Sequence, residues 1–237
     1  MSLTAEQIWF FRQSGYLKLT DRLSDATIEE LKQATYSNIE AEKEPVARDR
    51  NGRVVRLSNI LDRDPVFWET LAHPIVLNPL ESLLGPNIEI VRNRHNHATL
   101  NTTSAGGVYM HRDVLSWTRG IVTVIFYLEE TTLENGCTEL IPGTHLLPWT
   151  DQHLEADENL AKTGLLDQVV RIPMPAGGML ALDSLVFHSL GTNQTDGTRM
   201  SMTIAYHSVN ELAGVDDPKS TLVRGERIYM GNDGGRK

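Results

Sequence analysis

Three side chains in this sequence are of the right types to share a metal ion: His111, Asp113 and, 77 positions after His111, His188. His111 and Asp113 stand two apart, and on a strand the side chains of residues i and i+2 leave the same face. An imidazole and a carboxylate would therefore converge on one point, with His188 completing the set from another predicted strand. Two histidines and one carboxylate on one face of a metal leave three positions open, which suits non-haem Fe(II) activating O2 beside a chelating cosubstrate.

Arg199 follows His188 by eleven residues, just past an Asp196-Gly197 turn. A hairpin there would return Arg199 beside the strand of His188, with Ser201 on the same face. A guanidinium fork and a hydroxyl make a good carboxylate receptor. 2-Oxoglutarate satisfies both demands: its keto-acid end chelates iron and its far carboxylate meets the arginine.

The elements that must position these groups change character along the chain. The first third reads as helical. Thr4 and Gln7 form a capping-box pattern, Ile8 and Phe11 share a face, and Gly15 closes the helix. A second helix spans about 24–42, with Ile28, Leu31 and Ile39 inward. Asp64-Pro65 starts a third, burying Phe67, Trp68 and Leu71, and His73-Pro74 separates it from a short helix ending at Gly85. Residues 42–59, with Arg48, Arg50, Arg53 and Arg56, read as a polar loop, either solvated or a basic flap near an anionic ligand. From 87 onward, alternating and apolar runs predict strands over 88–90, 108–117, 121–128, 138–141, 168–172, 179–182, 185–190 and 199–208. About eight short strands with tight turns suggest a sandwich, jelly roll or barrel. The expected organisation is one domain over 1–237, helical to about 86 and all-β from about 87 to 210.

Composition excludes other classes. The net charge of −9 argues against a nucleic-acid binder. The longest apolar run, 121–128, is far short of the ~20 residues that span a membrane, and no N-terminal signal peptide is apparent. With Cys137 as the sole cysteine, no intrachain disulfide forms, which fits a cytoplasmic protein.

These segments resemble the phytanoyl-CoA dioxygenase family of Fe(II)/2-oxoglutarate oxygenases. The likeness rests on His111-Arg112-Asp113, on Glu134-Asn135-Gly136-Cys137 leading to Ile141-Pro142-Gly143-Thr144-His145, and on His188 through Asn193 to Arg199. It reaches back to Phe10-Phe11, Gly15-Tyr16 and Asp64-Pro65-Val66-Phe67. The resemblance implies a double-stranded β-helix, a cupin-like jelly roll with flanking helices. It implies iron held by His111, Asp113 and His188, and 2-oxoglutarate bound by Arg199 with Ser201. It also implies a cosubstrate pocket lined by Ile125, with Arg56 as a further basic contact. Iron halogenases of related fold lack the carboxylate ligand. Asp113 therefore favours hydroxylation, or a related C–H oxidation, that releases succinate and CO2.

Other residues read more plainly. Trp117 is either core or a wall of the substrate pocket. His95 and His97 are polar strand or pocket lining, His145 belongs to a structural turn, and Cys137 packs as a small apolar group. The expected substrate is a small organic molecule, with an anionic one suggested by Arg48–Arg56 and Arg92-Asn93-Arg94. The competing readings are a cupin-type metal enzyme that does not use 2-oxoglutarate, which would have no use for Arg199 and Ser201, and a non-catalytic ligand-binding jelly roll.

Overall fold

The computed structural model describes residues 1–91, 95–102, 109–114, 120–147, 152–156, 158–212 and 220–227. In chain order it contains α1 (Ala5–Ser14), β1 (Tyr16–Lys18), α2 (Asp25–Glu40), β2 (Val46–Arg48), β3 (Val54–Ser58), α3 (Pro65–Leu71), α4 (Pro74–Leu84), β4 (Ile88–Val91), β5 (His97–Asn101), β6 (Ile121–Tyr127), β7 (Thr138–Leu140), α5 (Glu158–Ala161), β8 (Val170–Ile172), β9 (Met179–Asp183), β10 (His188–Leu190), β11 (Arg199–Ser208) and β12 (Ser220–Arg224).

Local chemistry sets the helix ends. Thr4 and Gln7 cap α1 reciprocally, and Gly15 takes φ 77 at its end. The Ser24 hydroxyl accepts the Thr27 N–H before α2, and the Asp64 carboxylate accepts the Val66 N–H beside Pro65 at the start of α3. His73 caps α4 through its ring nitrogen. In α3, Phe67 and Leu71 are fully buried, whereas Trp68 is only half-buried.

A nine-stranded antiparallel sheet runs β1-β9-β6-β11-β5-β3-β2, with β4 pairing β11 and β12, and a second sheet runs β10-β7-β8. This is the jelly roll. The two faces of the large sheet differ by strict alternation. Val122, Val124, Phe126, Met200, Met202 and Ile204 pack against the helices. Their neighbours Ile125, Tyr127, Leu180 and Leu182 face Leu140 and Ile172 of the small sheet. Each fully buried aliphatic or aromatic side chain contributes about 1.5–3 kcal/mol.

Three expectations are corrected, and one strand is added. Residues 42–59 form the β2–β3 hairpin, which joins the large sheet through β5, so the first third supplies strands as well as helices. Tyr16–Lys18 pairs β9 as a further strand. Residues 109–114 of the expected strand 108–117 make only isolated bridges, from His111 to His153 and His188. The Asp196-Gly197 turn does not make a hairpin: β10 pairs β7 in the small sheet, while β11 pairs β4, β5 and β6 in the large one. Turn residues announce a reversal of direction but not the sheet that the next strand joins.

The loops around that crossing explain a motif. Asn135 accepts the Thr132 N–H at 2.7 Å, and Gly136 takes φ 83. A Cβ on Gly136 would lie 2.2 Å from the Gly191 carbonyl oxygen. Only glycine lets this loop press against the segment that leads from His188 to Arg199.

Candidate active site

The metal end is built from a reciprocal backbone pair. The His111 N–H donates to the His188 carbonyl and the His188 N–H to the His111 carbonyl, both at 2.9 Å. The Asp113 N–H donates to Ser184 O at 3.0 Å. These bridges keep 111–113 extended, so the i, i+2 convergence holds although no strand forms. The two imidazole centroids lie 4.6 Å apart. Each histidine turns Nδ1 to a backbone carbonyl, His111 to Tyr109 O at 3.0 Å and His188 to Val186 O at 2.9 Å. That contact selects the tautomer and leaves Nε2 as the donor. Asp113 Oδ1 lies 3.5 Å from His188 Nε2 and 4.0 Å from His111 Nε2. One donor atom from each of the three residues falls within 4.8 Å of the others.

Thr123 completes the support. Its hydroxyl donates to Asp113 Oδ2 at 2.9 Å and lies 2.8 Å from the Ser184 hydroxyl. Sequence reasoning missed it, although it is the threonine that interrupts the apolar run 121–128, and that interruption was the available signal. Burial would raise the Asp113 pKa, but His188, His95 and the Thr123 hydrogen bond outweigh it and hold the carboxyl well below its usual range. Burial pushes His111 down, aided by His188. His188 is raised, because Asp113 overcomes its burial.

The carboxylate end lies on the inward face of β11. Ser201 pairs Tyr127 and Thr203 pairs Ile125 across to β6. Arg199 is 0% exposed, and its Nε, Nη1 and Nη2 find no hydrogen-bond partner among the described residues. Burial lowers its pKa, opposed by the nearby Tyr127 and Cys137, yet a guanidinium remains charged at neutral pH. Burial pushes the Tyr127 phenol up to about 12, and its OH lies 2.7 Å from the Thr138 hydroxyl. A buried cation without a partner costs several kcal/mol, so Arg199 fits an anionic ligand. Ile125 and Ser201 are both buried on the same inward face. The donor set and this orphaned guanidinium fit iron with a chelating dicarboxylate.

In front of the metal residues opens a cavity of about 350 Å³, bordered by Arg56, His95, His97, His111, Asp113 and Gln152, with no apolar side chain among its described lining. His95 Nε2 lies 3.5 Å from Asp113 Oδ1. Burial, with His95 and Arg56 beside it, lowers the His97 pKa to about 4. Both histidines are pocket lining. A cavity of about 430 Å³ between α2 and α3 contains none of the candidate residues.

The basic stretch divides. Arg48 pairs with Glu42 at 3.0 Å and Arg53 with Asp49 at 2.9 Å, whereas Arg56 lines the cavity. His145 bonds the Arg12 carbonyl at 3.1 Å, as a structural residue does, and Cys137 is buried. Trp117 and Arg92-Asn93-Arg94 lie outside the described residues. No helix among the described residues is long and apolar enough to cross a membrane.

Known proteins resemble this chain throughout. The phytanoyl-CoA dioxygenase family matches residues 11–201. Dioxygenase af480 of Aspergillus fumigatus is 28% identical over 213 residues, covering 83% of this chain, which spans only 64% of that relative's length. The solved structure of the alpha-ketoglutarate-dependent epimerase SnoN superposes with a TM-score of 0.74 at 19% identity, covering 93% of this chain and 96% of SnoN. EctD from S. alaskensis, solved with 2-oxoglutarate and 5-hydroxyectoine, gives 0.75 at 18% identity, covering 88% and 77%. With the family match covering most of its length, the chain belongs to the phytanoyl-CoA dioxygenase family of non-haem iron, 2-oxoglutarate-dependent oxygenases.

Proposed function

We propose that this oxygenase hydroxylates a C–H bond of a small, polar, acid-bearing molecule, with residues 1–237 acting as one domain. In this reading His111, Asp113 and His188 hold Fe(II), and Arg199 with Ser201 takes the distal carboxylate of 2-oxoglutarate. Bound together, iron and 2-oxoglutarate supply the oxidation by O2, releasing succinate and CO2 as an oxygen atom enters the substrate.

The protein's own part is placement. The Nδ1 contacts of both histidines hold their protons away from the metal side. Ile125, buried on the inward face of β6, is the apolar lining of the cosubstrate pocket in this reading. Arg56 gives a second basic contact at the metal end of the cavity. The polar class of the substrate is supported by the cavity lining, because an apolar chain would strip water from Arg56, His95 and His97 without replacing those bonds. The acid group is supported by Arg56, the one arginine in the described lining, because Asp113, its one carboxylate, would be taken up by the metal. The lone buried cysteine suits the reducing cytoplasm.

The observation that carries this reading is the buried guanidinium of Arg199, without a hydrogen-bond partner among the described residues, in a chain that also brings together a His-Asp-His donor set. Anaerobic titration with Fe(II) and 2-oxoglutarate should give a weak visible charge-transfer band that needs both components. Asp113→Ala should abolish the band and turnover together. Bound iron with no band at any 2-oxoglutarate concentration would refute the cosubstrate assignment.

A further inference from the structure

His111 and Asp113 lie on a segment outside both sheets, yet their donor atoms must keep a fixed spacing. The residue between them faces the other way. Arg112 is 2% exposed, and its Nη2 donates to the Thr144 carbonyl oxygen at 2.6 Å. Its guanidinium carbon sits 4.3 Å from the centroid of the Phe187 ring. Thr144, 1% exposed, uses its hydroxyl twice: it accepts the Phe187 N–H at 2.9 Å and donates to Ile141 O at 2.7 Å. Phe187 directly precedes His188.

Thr144 thus touches both ligand-bearing segments from behind. Its carbonyl grips the residue between His111 and Asp113, and its hydroxyl grips the residue before His188. The turn that carries it is anchored in turn to the end of α1: Gly143 N–H donates to Ser14 O at 2.9 Å, and His145 Nε2 lies 3.1 Å from Arg12 O. Gly15 is tied into the same corner, since a Cβ there would meet Val186 at 2.2 Å and His145 at 2.5 Å.

We propose, resting on the metal assignment above, that Thr144 and Arg112 are positioning residues for iron: a latch on the far side of the site that sets the spacing of the three donor atoms and so the metal affinity. Successive side chains of an extended segment point to opposite sides. Holding Arg112 therefore fixes the direction in which His111 and Asp113 project. The cation–π contact and the charge-assisted hydrogen bond give Arg112 two restraints at different points of its fork.

Co(II) added to the metal-free protein tests this through its visible ligand-field absorption. Thr144→Val and Arg112→Met should each weaken Co(II) binding about tenfold, the lower end for outer-shell support, and shift the band, while Thr144→Ser stays within about twofold with an unshifted band. Thermal unfolding of the metal-free proteins separates lost positioning from lost fold. If Thr144→Val does not fold, Arg112→Met decides. Wild-type affinity and band in a folded Arg112→Met would overturn the latch, as would a Thr144→Ser as impaired as Thr144→Val. A wild-type protein that binds no Co(II) would overturn the metal assignment and the latch with it, whereas wild-type binding matched by both variants overturns the latch alone.

Discussion

Arg199 and Ser201 stand on a strand paired on both sides, with β5 from Arg199 to Thr203 and with β6 from Ser201 to His207. His111 and Asp113 hang instead on single bridges to His188, His153 and Ser184. The carboxylate receptor is therefore set by the sheet before any ligand arrives, at the expense of a buried charge with no hydrogen-bond partner among the described residues. The metal end relies on side-chain support, from Thr123 on one side and from Arg112 and Thr144 on the other. One end is preorganised by the backbone ladder, and the other by outer-shell hydrogen bonds.

The difference can be broken most sharply at Arg199. Arg199→Met should weaken 2-oxoglutarate binding by about 2–5 kcal/mol, a factor from about 30 to several thousand. The same change should leave the thermal midpoint of the ligand-free protein unchanged or higher, because it removes an uncompensated buried cation. A clear drop in that midpoint would mean that the guanidinium has a structural partner. Calorimetric titration beside thermal scans reads both.

His97 gives the next effect, through pH. Its pKa falls from 6.5 to about 4 on folding, so the unfolded chain holds the proton more tightly. The His97 contribution is fully present above pH 6.5 and is lost as pH falls through about 4, to a total of ~3 kcal/mol. Urea unfolding of the metal-free protein should show a shallower decline between pH 7 and 4 for His97→Gln than for wild type. Parallel curves would count against burial of a neutral imidazole.

Thr123 gives the smallest effect and sharpens the metal end. Thr123→Val removes one hydrogen bond to the Asp113 carboxylate, worth about 1.5–3 kcal/mol. We expect iron affinity to fall about tenfold with 2-oxoglutarate affinity unaltered, measured by competition with a chelator. Equal losses for both ligands would erase the distinction between the two ends.

Much of the site was legible in the residues. The His111-x-Asp113 spacing worked because alternation is a property of any extended chain, whether or not a ladder forms. The hairpin expected to carry Arg199 back beside His188 is instead a crossing between sheets. Residues 42–59 looked like a loop because Val54 and Leu57, the two residues buried in β3, stand three apart among charged neighbours, so no period-two alternation shows. Thr144 looked like a turn residue and nothing more, since its two partners lie 32 and 43 positions away.

What the sequence determined by itself is whatever depends on neighbours within a few residues: the caps of α1, α2 and α3, the extended runs that become β6 and β11, and the types of the metal donors. Steric and hydrogen-bonding preferences at that range are written in adjacent side chains. Tertiary structure alone decided which sheet follows each turn, that Arg48 and Arg53 are paired while Arg56 lines the cavity, and that Arg199 is buried with no hydrogen-bond partner among the described residues. An extended segment can satisfy its backbone against many partners, and the choice among them is made by packing between distant parts of the chain.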